Sequence, residues 1–342
     1  MNEPPEVPVP PPPLPLLEQP KSPKPRAMID NTDAMDFIWS ILLRIPLLRN
    51  SCAIICDCEK MAQPYGWGGY RVTRQTTSPL VVLGSGYTGR VLYRTGTWQG
   101  RTVYATSRNP LNNLAGIPSE HRLIFDLEQP STWLNIPVNA DLIWCFPATP
   151  LEQVQAFAGT LGAPPRRIVV LGSTSAYEVS DHSTEYLPPW IDESAPVNLT
   201  KPRVQGEEFL RINWGATILR VAGIYGPGRN PLDWIRQGRV GPSRKYVNLI
   251  HVEDLAAICL AAVEKETPGE VYNVSDGLPH TWNEICGTAQ QRWGVAAAVA
   301  KEDHSPGKRI SNAKLRSKLD YRFQHPNLYE ALDFIQSTRS KP

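Results

Sequence analysis

The amino-acid sequence predicts an α/β protein built on a doubly wound parallel sheet with a small C-terminal lobe. From Pro79 onward, short apolar runs alternate with helical stretches, a pattern typical of parallel strands that are covered on both faces. A glycine-rich loop follows the first run, and polar or small residues follow the others. Ligands of such sheets bind beyond the carboxyl ends of the strands, so we expect the chemistry where each run ends.

The first apolar run, residues 79–83, leads into a Gly-x-Gly-x-x-Gly loop and then into helix-like sequence. We expect Gly84 to make the tight turn, Gly86 to let the backbone approach a pyrophosphate, and Gly89 to let the helix pack closely on the strand. A glycine loop alone can mark a simple turn, but the strand before it and the helix after it favour nucleotide binding. The predicted cofactor-binding loop comprises Gly84, Ser85, Gly86, Tyr87, Thr88 and Gly89.

The end of the second predicted strand, residues 102–106, indicates which dinucleotide is bound. NAD sites place an Asp or Glu there to hold the ribose hydroxyls. This sequence has Ser107 and Arg108 instead, and a guanidinium grips a 2′-phosphate through paired, charge-assisted hydrogen bonds. We therefore predict NADP as the cofactor, with NAD as the alternative. The competing interpretation is that Arg108 is a solvated surface charge.

Composition and charge narrow the class of protein. The 342 residues are 41% hydrophobic with a formal net charge of +2, which is enough apolar material for one large domain or two modest ones. The absence of a long Lys/Arg block from the sequence argues against nucleic-acid binding. The six cysteines are dispersed apart from Cys52, Cys56 and Cys58, which include no Cys-x-x-Cys pair. We therefore predict no metal site, and a cytoplasmic location.

The N-terminal region differs from the rest of the chain. Residues 4–25 hold eleven of the 34 prolines, so we predict that residues 1–60 form a disordered proline-rich extension and residues 61–78 a linker. The apolar segment at 37–48 is too short and too charged to span a membrane, so no membrane partner is expected. The nucleotide-binding domain is predicted to cover residues 79–335, with its substrate-facing lobe at about 230–335.

Further strands and helices continue the alternation. Strand-like runs occur at five more places: 122–125, 140–145, 167–171, 216–220 and 270–274. A helix is predicted from residue 151 to about residue 161. Thr281 and Glu284 form a capping box that starts another helix. Residues 308–315 and 328–335 are predicted to be two closing helical pieces.

Six motifs follow one another along the chain: the glycine loop, Asp126-Leu127, Phe146-Pro147-Ala148, Ser173-Thr174-Ser175-Ala176-Tyr177, Ile224-Tyr225-Gly226-Pro227-Gly228-Arg229 and Ile250-His251-Val252-Glu253-Asp254-Leu255. In these motifs and their order, the chain resembles the atypical or extended short-chain dehydrogenase/reductase superfamily, the NAD-dependent epimerase/dehydratase group, over roughly residues 79–335. The resemblance implies a Rossmann-type fold, an NAD(P) cofactor and a small substrate, nucleotide-linked molecules being one class, and it is compatible with a homodimer. The further cofactor contacts that it implies are Asp126 and Leu127 at adenine, Phe146, Pro147 and Ala148 along the cofactor, and Tyr225 at the nicotinamide end.

One catalytic motif of that superfamily is missing. Members that move hydride use a Tyr-x-x-x-Lys pair on one helix face, where the Lys lowers the pKa of the Tyr. The window where the pair is expected, 198–208, contains no tyrosine. Alignment on its acidic residue puts Leu199 or Thr200 in the Tyr place and Arg203 or Val204 in the Lys place. Other tyrosines also lack the Lys four residues later: Tyr177 is followed by Asp181, Tyr225 by Arg229 and Tyr246 by Ile250.

Two interpretations follow. In the first, Ser173 donates a hydrogen bond to a substrate carbonyl, and Arg203 orients the cofactor ribose or an anionic substrate. In the second, the chain binds NADP without the usual chemistry. The structural alternatives are that Ser173 holds a backbone group at its strand end and that Arg203 is an exposed helix charge. Lys308 pairs with an anionic substrate or is solvated, and we favour solvation.

The sequence therefore predicts an NAD(P)-dependent oxidoreductase or epimerase/dehydratase-like enzyme that acts on a small-molecule substrate. The alternative is a non-catalytic NADP-binding sensor or scaffold, which the missing Tyr-x-x-x-Lys pair favours. Tyr177 is expected to pack against the loop after its strand. His251 is expected to make a structural hydrogen bond to the backbone.

Overall fold

The predicted parallel sheet forms the centre of the computed structural model, which describes residues 78–162, 167–178, 187–265, 268–297 and 305–339. The strands are β1 (Leu80–Leu83), β2 (Val103–Ser107), β3 (Arg122–Ile124), β4 (Asp141–Trp144), β5 (Ile168–Ser173), β6 (Trp190–Ile191), β7 (Thr217–Val221), β8 (Gly223–Tyr225), β9 (Tyr246–Val247), β10 (Leu249–His251), β11 (Val271–Val274), β12 (His280–Thr281) and β13 (Arg309–Ile310). The α-helices are α1 (Tyr87–Trp98), α2 (Pro110–Asn113), α3 (Leu151–Thr160), α4 (Pro202–Trp214), α5 (Pro231–Arg236), α6 (Val252–Lys265), α7 (Trp282–Trp293), α8 (Ala313–Leu319) and α9 (Leu328–Arg339). Short 3₁₀ helices cover Ser119–His121, Pro130–Asn135 and Thr174–Ala176.

Seven strands form the central sheet in the order β3-β2-β1-β4-β5-β7-β11, and every neighbouring pair is parallel. The strand order runs outward from β1 in both directions, so β1 and β4 meet at the switch point of a doubly wound sheet. The predicted Rossmann-type α/β fold class is confirmed. This topology places a ligand in the crevice at the carboxyl ends of β1 and β4.

Alternating side chains build a core on both faces of the sheet. All four side chains of β1 are completely buried. Leu80 and Val82 belong to a cluster that includes residues of α6, whereas Val81 and Leu83 belong to a cluster with residues of α3 and α4. Helix α1 packs beside α6 on one face, and α3 packs beside α4 on the other. Because both faces are covered, the strands have the continuous apolar sequences from which they were predicted.

The C-terminal part of the chain adds a third core cluster with contributions from α5, α7 and α9, among them Leu232, Ile285 and Leu332. Three two-stranded sheets accompany it: β8 with β10, β9 with β12 and β6 with β13. The predicted capping box at the start of α7 is confirmed. The Thr281 amide donates to Glu284 Oε2 at 2.8 Å, and the Glu284 amide donates to Thr281 Oγ1 at 3.2 Å.

The helix predicted over residues 308–315 is wrong in its first half. Arg309 and Ile310 form β13, which pairs with β6, and α8 begins only at residue 313. The Ile310 amide donates to Asn248 Oδ1 at 2.9 Å, and the Ser311 amide donates to the Ile191 carbonyl at 2.9 Å. These tertiary hydrogen bonds outweigh the local helical pattern.

The proline-rich extension at 1–60, its cysteine trio and the linker as far as residue 77 lie outside the described residues. The first strand begins at Leu80, next to the predicted start of the nucleotide-binding domain. Among the helices of the described ranges, none is long and apolar enough to cross a bilayer.

Candidate functional site

The three loop glycines meet three different steric conditions at the end of β1. Gly84 has φ +85°, in the left-handed region that favours glycine, and a Cβ on it would lie 2.8 Å from Cδ1 of Phe146. A Cβ on Gly89 would lie 2.6 Å from the Gly84 carbonyl oxygen, so this glycine lets α1 pack against the turn. A Cβ on Gly86 would meet no atom within 4 Å. The loop therefore combines the tight turn, the close packing and the open backbone that suit a pyrophosphate.

The N-terminus of α1 is open to an anion. The helix begins at Tyr87, its N-cap residue Gly86 supplies no side-chain cap, and its first turn contains no acidic residue. The first amides of a helix have no intrahelical acceptor, and together with the helix dipole they attract negative charge. The hydroxyl of Ser85 is engaged elsewhere, because it donates to the Val82 carbonyl and accepts from the Thr106 amide. Ser85 therefore fastens β1 to β2 through its side chain.

A loop that follows β8 contacts the side chain of Tyr87, the first residue of α1. Tyr87 Oη donates to the Pro227 carbonyl at 3.2 Å, and the Arg229 guanidinium lies 5.7 Å from the centre of the Tyr87 ring. A Cβ on Gly226 would lie 2.6 Å from Tyr87 Oη, so the loop approaches this closely because residue 226 is glycine. Burial raises the pKa of Tyr87 to about 12, against the opposing effect of Arg229. The Tyr87 phenol is therefore protonated at neutral pH.

The strand end that is predicted to select the cofactor carries Ser107 as the last residue of β2, followed by an exposed Arg108. Ser107 Oγ accepts from the Asn109 amide at 3.2 Å and from Asn113 Nδ2 at 2.9 Å. The guanidinium of Arg90, on α1, donates to the Asn113 carbonyl at 2.7 Å. A second arginine, which the sequence analysis did not select, therefore reaches the same exposed turn. The position of Arg90 beside this turn is known from its contact with Asn113 and not from a sequence motif.

The cofactor-lining residues implied by the resemblance follow β3 and β4. Asp126 Oδ1 accepts the backbone amide two residues further on, and Leu127 is buried in the core. The Phe146 ring leaves no room for a Cβ on Gly84, so the structure places Phe146 against the glycine loop. Pro147 is exposed and Ala148 is buried. The geometry thus joins Phe146 to the loop, whereas the side chains of Asp126 and Leu127 are engaged within the chain.

Tyr225, predicted to meet the nicotinamide end of the cofactor, is the last residue of β8 and is completely buried. Its ring packs edge-on against His251 at a centroid distance of 5.2 Å, and its hydroxyl has no hydrogen-bond partner in the described part of the chain. Burial raises the pKa of Tyr225, and the carboxylates of Asp276 and Asp254 raise it further. Tyr225 presents no surface to a ligand in this structure, and its contact with a cofactor stays a prediction.

The end of β5 holds the first predicted catalytic residue. Ser173 Oγ accepts from the Ser175 amide at 3.1 Å and so caps the 3₁₀ turn that follows the strand. This is the strand-end role considered above, and it leaves the Ser173 O–H available as a donor. Tyr177 is 1% exposed, and its hydroxyl donates to Asn273 Oδ1 at 2.6 Å. Tyr177 is therefore buried and bonded to β11, and its packing against the loop after β5 stays a prediction.

Helix α4 holds the second predicted catalytic residue. Arg203 Nε donates to Glu207 Oε1 at 3.0 Å, and Arg203 Nη2 lies 3.4 Å from the Leu171 carbonyl oxygen near the end of β5. Glu207 is 2% exposed; burial raises its pKa, and Arg203 acts in the opposite direction. Arg203 is thus a partly buried ion-pair partner and not an exposed helix charge. Leu199 and Thr200, the two candidates for the Tyr place of the missing motif, are both exposed. The structure brings Ser173 and Arg203 to the end of the same strand.

A cavity of about 720 Å³ lies beside this turn. It is lined by Ser175, Tyr177, Glu178, Pro196, Asn198, Lys201 and Lys308. Lys308 is half-buried and donates to two backbone carbonyls, so the expectation that it is solvated is wrong. The sequence analysis did not select Lys201. No local motif relates these two lysines, because the fold brings them together from distant segments.

A second group of titratable side chains lies at the start of α6, where the ligand atoms of His251, Glu253 and His325 are all within 4.8 Å of one another. His325 Nε2 is 3.1 Å from Glu253 Oε2. The His251 and His325 rings lie with centroids 3.7 Å apart and planes inclined by 41°. His251 Nδ1 accepts the Glu253 amide at 3.3 Å, which is the backbone bond expected of it. Burial lowers the pKa of His251 to about 3, so the ring is neutral with its proton on Nε2. A neutral ring bonded in this way offers no second lone pair to a metal.

No protein-family model matches this chain. Among curated proteins, the chain is similar to Protein YeeZ of Escherichia coli, with 25% identity over 166 residues. The match covers 47% of this chain and 59% of YeeZ, so the chain spans about three-fifths of the length of that relative.

Solved structures match over more of the chain. A functionally unknown conserved protein from Silicibacter pomeroyi is 29% identical with a TM-score of 0.62, and the match covers 78% of this chain and 100% of that one. A protein from Methylobacillus flagellatus, provisionally described as an NAD-dependent epimerase/dehydratase, is 26% identical with a TM-score of 0.62. That match covers 77% of this chain and 99% of the other.

More distant structures are similar in fold alone. MoeE5 in complex with UDP-glucose and NAD is 18% identical with a TM-score of 0.61, covering 77% of this chain and 99% of its own. The human epimerase family protein SDR39U1 with NADPH is 19% identical with a TM-score of 0.58, covering 76% of this chain and 99% of its own. The TM-scores of 0.61 and 0.58 agree with the Rossmann-type fold described above. The chain therefore has the fold of the atypical, epimerase/dehydratase-like branch of the short-chain dehydrogenase/reductase superfamily.

Proposed function

We propose that the chain binds an NAD(P) cofactor at its glycine loop and acts as an oxidoreductase or an epimerase/dehydratase-like enzyme on a small substrate. The observation that carries the proposal is the uncapped N-terminus of α1 at the carboxyl end of β1, on the switch point of the sheet. The open space in front of Gly86 leaves room for a pyrophosphate there. MoeE5, described with NAD, and SDR39U1, described with NADPH, support a nicotinamide dinucleotide by their similar fold.

The donors present fit such a cofactor. The backbone amides of residues 87–89 would hold the pyrophosphate, because the Gly86 amide already donates to the Gly84 carbonyl at 2.9 Å. Phe146 would flank it. We favour NADP over NAD because Ser107, Arg108 and Arg90 surround one exposed turn at the end of β2, where guanidinium groups suit a 2′-phosphate. The cofactor supplies hydride transfer when it is bound, and the chain supplies binding, orientation and electrostatics.

The reacting end of the substrate would lie near the end of β5. Ser173 keeps a hydroxyl donor there, and Arg203 lies beside it on α4. We retain both as candidate catalytic residues: Ser173 to donate to a substrate carbonyl, and Arg203 to orient a ribose or an anionic group. A nucleotide-linked substrate is one class that we propose, supported by the UDP-glucose of MoeE5. The cytoplasmic location and the homodimer remain predictions from the sequence.

A second candidate function is a non-catalytic NADP sensor or scaffold. Two observations favour it. Leu199 or Thr200 stands in the place of the superfamily's tyrosine, and neither has a phenol. Arg203, one of the two candidates for the Lys place, is already paired with Glu207. Turnover separates the two functions. An enzyme consumes NADPH or yields an isomerised product with at least one member of a panel of carbonyl compounds and nucleotide sugars. A sensor binds NADPH and does neither.

Calorimetric titration of the full chain with NADPH and with NADH tests the cofactor proposal. We expect NADPH to bind more tightly, and Arg108→Ala to weaken NADPH about tenfold or more while leaving NADH unchanged, because each lost charged hydrogen bond costs about 1.5–3 kcal/mol. Arg316→Ala is a matched control, since Arg316 is exposed on α8, which packs beside β11 at the opposite edge of the sheet. Binding of neither nucleotide would overturn the cofactor proposal. Equal weakening of both nucleotides in Arg108→Ala would overturn the preference for NADP.

A further inference from the structure

The cavity beside the end of β5 contains two ammonium groups that converge on one turn. Lys201 is the residue before α4, and Lys308 immediately precedes β13. Lys308 Nζ donates to the Thr174 carbonyl at 3.1 Å and to the Tyr177 carbonyl at 2.9 Å, and Lys201 Nζ donates to the Ser175 carbonyl. Two separate parts of the chain thus each supply one positive charge to the same wall of the cavity.

Backbone contacts position Lys308. Its carbonyl accepts from Asn248 Nδ2 at 2.8 Å, and the adjacent Arg309 donates from Nε to the Pro188 carbonyl at 2.6 Å. An ammonium group has three donors, so the bonds to the turn leave donors on both lysines for a ligand. Because Lys201 and Lys308 are already ordered on the turn, a ligand meets a smaller entropic cost on binding them.

Among the described residues, the hydrogen-bond partners of the pair carry no negative charge. Within the described part of the chain, both ammonium groups make their hydrogen bonds to neutral carbonyl oxygens. The acidic side chain that lines the cavity is that of Glu178, which is exposed. Burial lowers the pKa of Lys308 to about 8, and the positive charge of Lys201 contributes to this shift. An anion placed between the two ammonium groups would relieve their repulsion.

We propose that Lys201 and Lys308 bind a phosphoryl group of the substrate. This subsite rests on the proposed function, because it places a substrate next to the turn that Ser173 caps. Two separate ammonium groups match the charge that a phosphate distributes over several oxygens. The volume of about 720 Å³ is within the range of small-molecule sites. The polar side chains of Ser175 and Asn198 line the same cavity and add further hydrogen-bonding groups.

Calorimetric titration of inorganic pyrophosphate into the full chain saturated with NADPH tests this subsite. Saturation with NADPH keeps the probe away from the glycine loop. We expect pyrophosphate to bind, and Lys201→Met and Lys308→Gln each to weaken it about tenfold or more, the loss typical of a charged hydrogen bond. The Gln amide can still donate to the carbonyls of the turn, so the fold is kept. Lys318→Met, at an exposed position of α8, should leave pyrophosphate affinity unchanged.

The outcomes separate this inference from the cofactor proposal. Pyrophosphate binding that is absent from the NADPH-loaded chain, or that is unchanged in both lysine variants, would overturn the subsite and leave cofactor binding intact. Malonate that binds as tightly as pyrophosphate, with the same dependence on both lysines, would overturn the phosphoryl assignment in favour of a carboxylate. If NADPH itself does not bind, the same titration with the Gly86→Val variant, whose loop is closed by the added side chain, decides the subsite by its dependence on Lys201 and Lys308.

Discussion

The proposed cofactor site at the end of β1 and the proposed substrate site at the end of β5 are formed in different ways. At β1 the backbone makes the site, with a turn at φ +85°, a helix N-terminus without a side-chain cap and open space in front of Gly86. At the end of β5, side chains form the proposed substrate site. There Leu199 or Thr200 stands in the place of the superfamily's tyrosine, and Arg203 is paired with Glu207. The first region matches the superfamily at all three of its glycines, whereas the second departs from it at its catalytic pair.

This difference shows that the fold and the chemistry are separate properties of the chain. Any sequence that forms the glycine loop and α1 supplies backbone amides and a helix dipole, so an anion site follows from the fold. Proton transfer depends on the residue type at single positions, which a fold alone does not determine. We therefore expect substitutions in the first region to change cofactor affinity, and substitutions in the second to change stability or substrate turnover.

The largest effect is expected at Gly86. Gly86→Val fills the open space, and NADPH affinity should fall about 100-fold or more, since about 3 kcal/mol of hydrogen bonding to phosphate is lost. The free energy of unfolding should change by less than in the Gly89→Ala variant, because a Cβ at residue 86 meets no atom within 4 Å. Calorimetric titration with NADPH and urea unfolding measure the two quantities.

Gly89→Ala is the matched control in the same loop. Its Cβ would press on the Gly84 carbonyl oxygen, so we expect the free energy of unfolding to fall by about 1–3 kcal/mol. Within one motif, Gly86→Val is thus expected to change mainly NADPH affinity and Gly89→Ala mainly the free energy of unfolding. NADPH binding by Gly86→Val with wild-type affinity would show that the loop is not the phosphate site.

The next largest effect is expected at Arg203. Arg203→Ala leaves the Glu207 carboxylate buried without its ion-pair partner, and the free energy of unfolding should fall by about 2 kcal/mol. This is less than the roughly 3–5 kcal/mol expected for a fully buried pair, because the Arg203 side chain is 27% exposed and the pair is partly screened. Urea unfolding of the variant and of the wild type measures the loss.

The loss in Arg203→Ala should shrink as the pH falls. Burial raises the pKa of folded Glu207, and the substitution removes the guanidinium that lowers it. The folded state then binds a proton more readily than the unfolded state, so stability is gained at low pH and lost as the pH rises through the folded pKa. The difference from wild type should therefore be smaller at about pH 5 than at about pH 7. An equal difference at both pH values would assign the loss to packing and not to Glu207.

Local patterns in the sequence predicted the first region well. Gly84, Gly86 and Gly89 lie within one short segment, so spacing alone indicates their roles, and the structure gives each the expected steric condition. The central strands were predicted for the same reason, since burial on both faces requires continuous apolar runs. The Thr281 capping box is also local, and both of its hydrogen bonds are present.

Long-range contacts could not be predicted in this way. Lys308 bonds to Thr174 from 134 residues away, and no spacing rule relates the two positions. His325 meets Glu253 across 72 residues for the same reason. Residues 308–312 read as helix because the sequence does not reveal their partners in β6 and at Asn248. The end of β5 depends on such contacts. The sequence therefore identified Ser173 and Arg203 as candidates but did not predict which residues they contact.

A smaller loss of stability than in Arg203→Ala is expected at Ser173, and the turnover of its variants decides whether the second region is catalytic. Ser173→Ala removes the acceptor of the Ser175 amide, so the free energy of unfolding should fall by about 1 kcal/mol, as for the loss of a helix cap. Ser173→Thr keeps a hydroxyl at the same position and should lose less. If the hydroxyl also donates to substrate, NADPH turnover with a substrate from the panel should fall about 100-fold in the Ala variant and recover in the Thr variant. A loss of stability with unchanged turnover would show that the Ser173 hydroxyl is structural. The end of β5 would then stabilise the turn without taking part in catalysis, whereas the glycine loop would still be the proposed cofactor site.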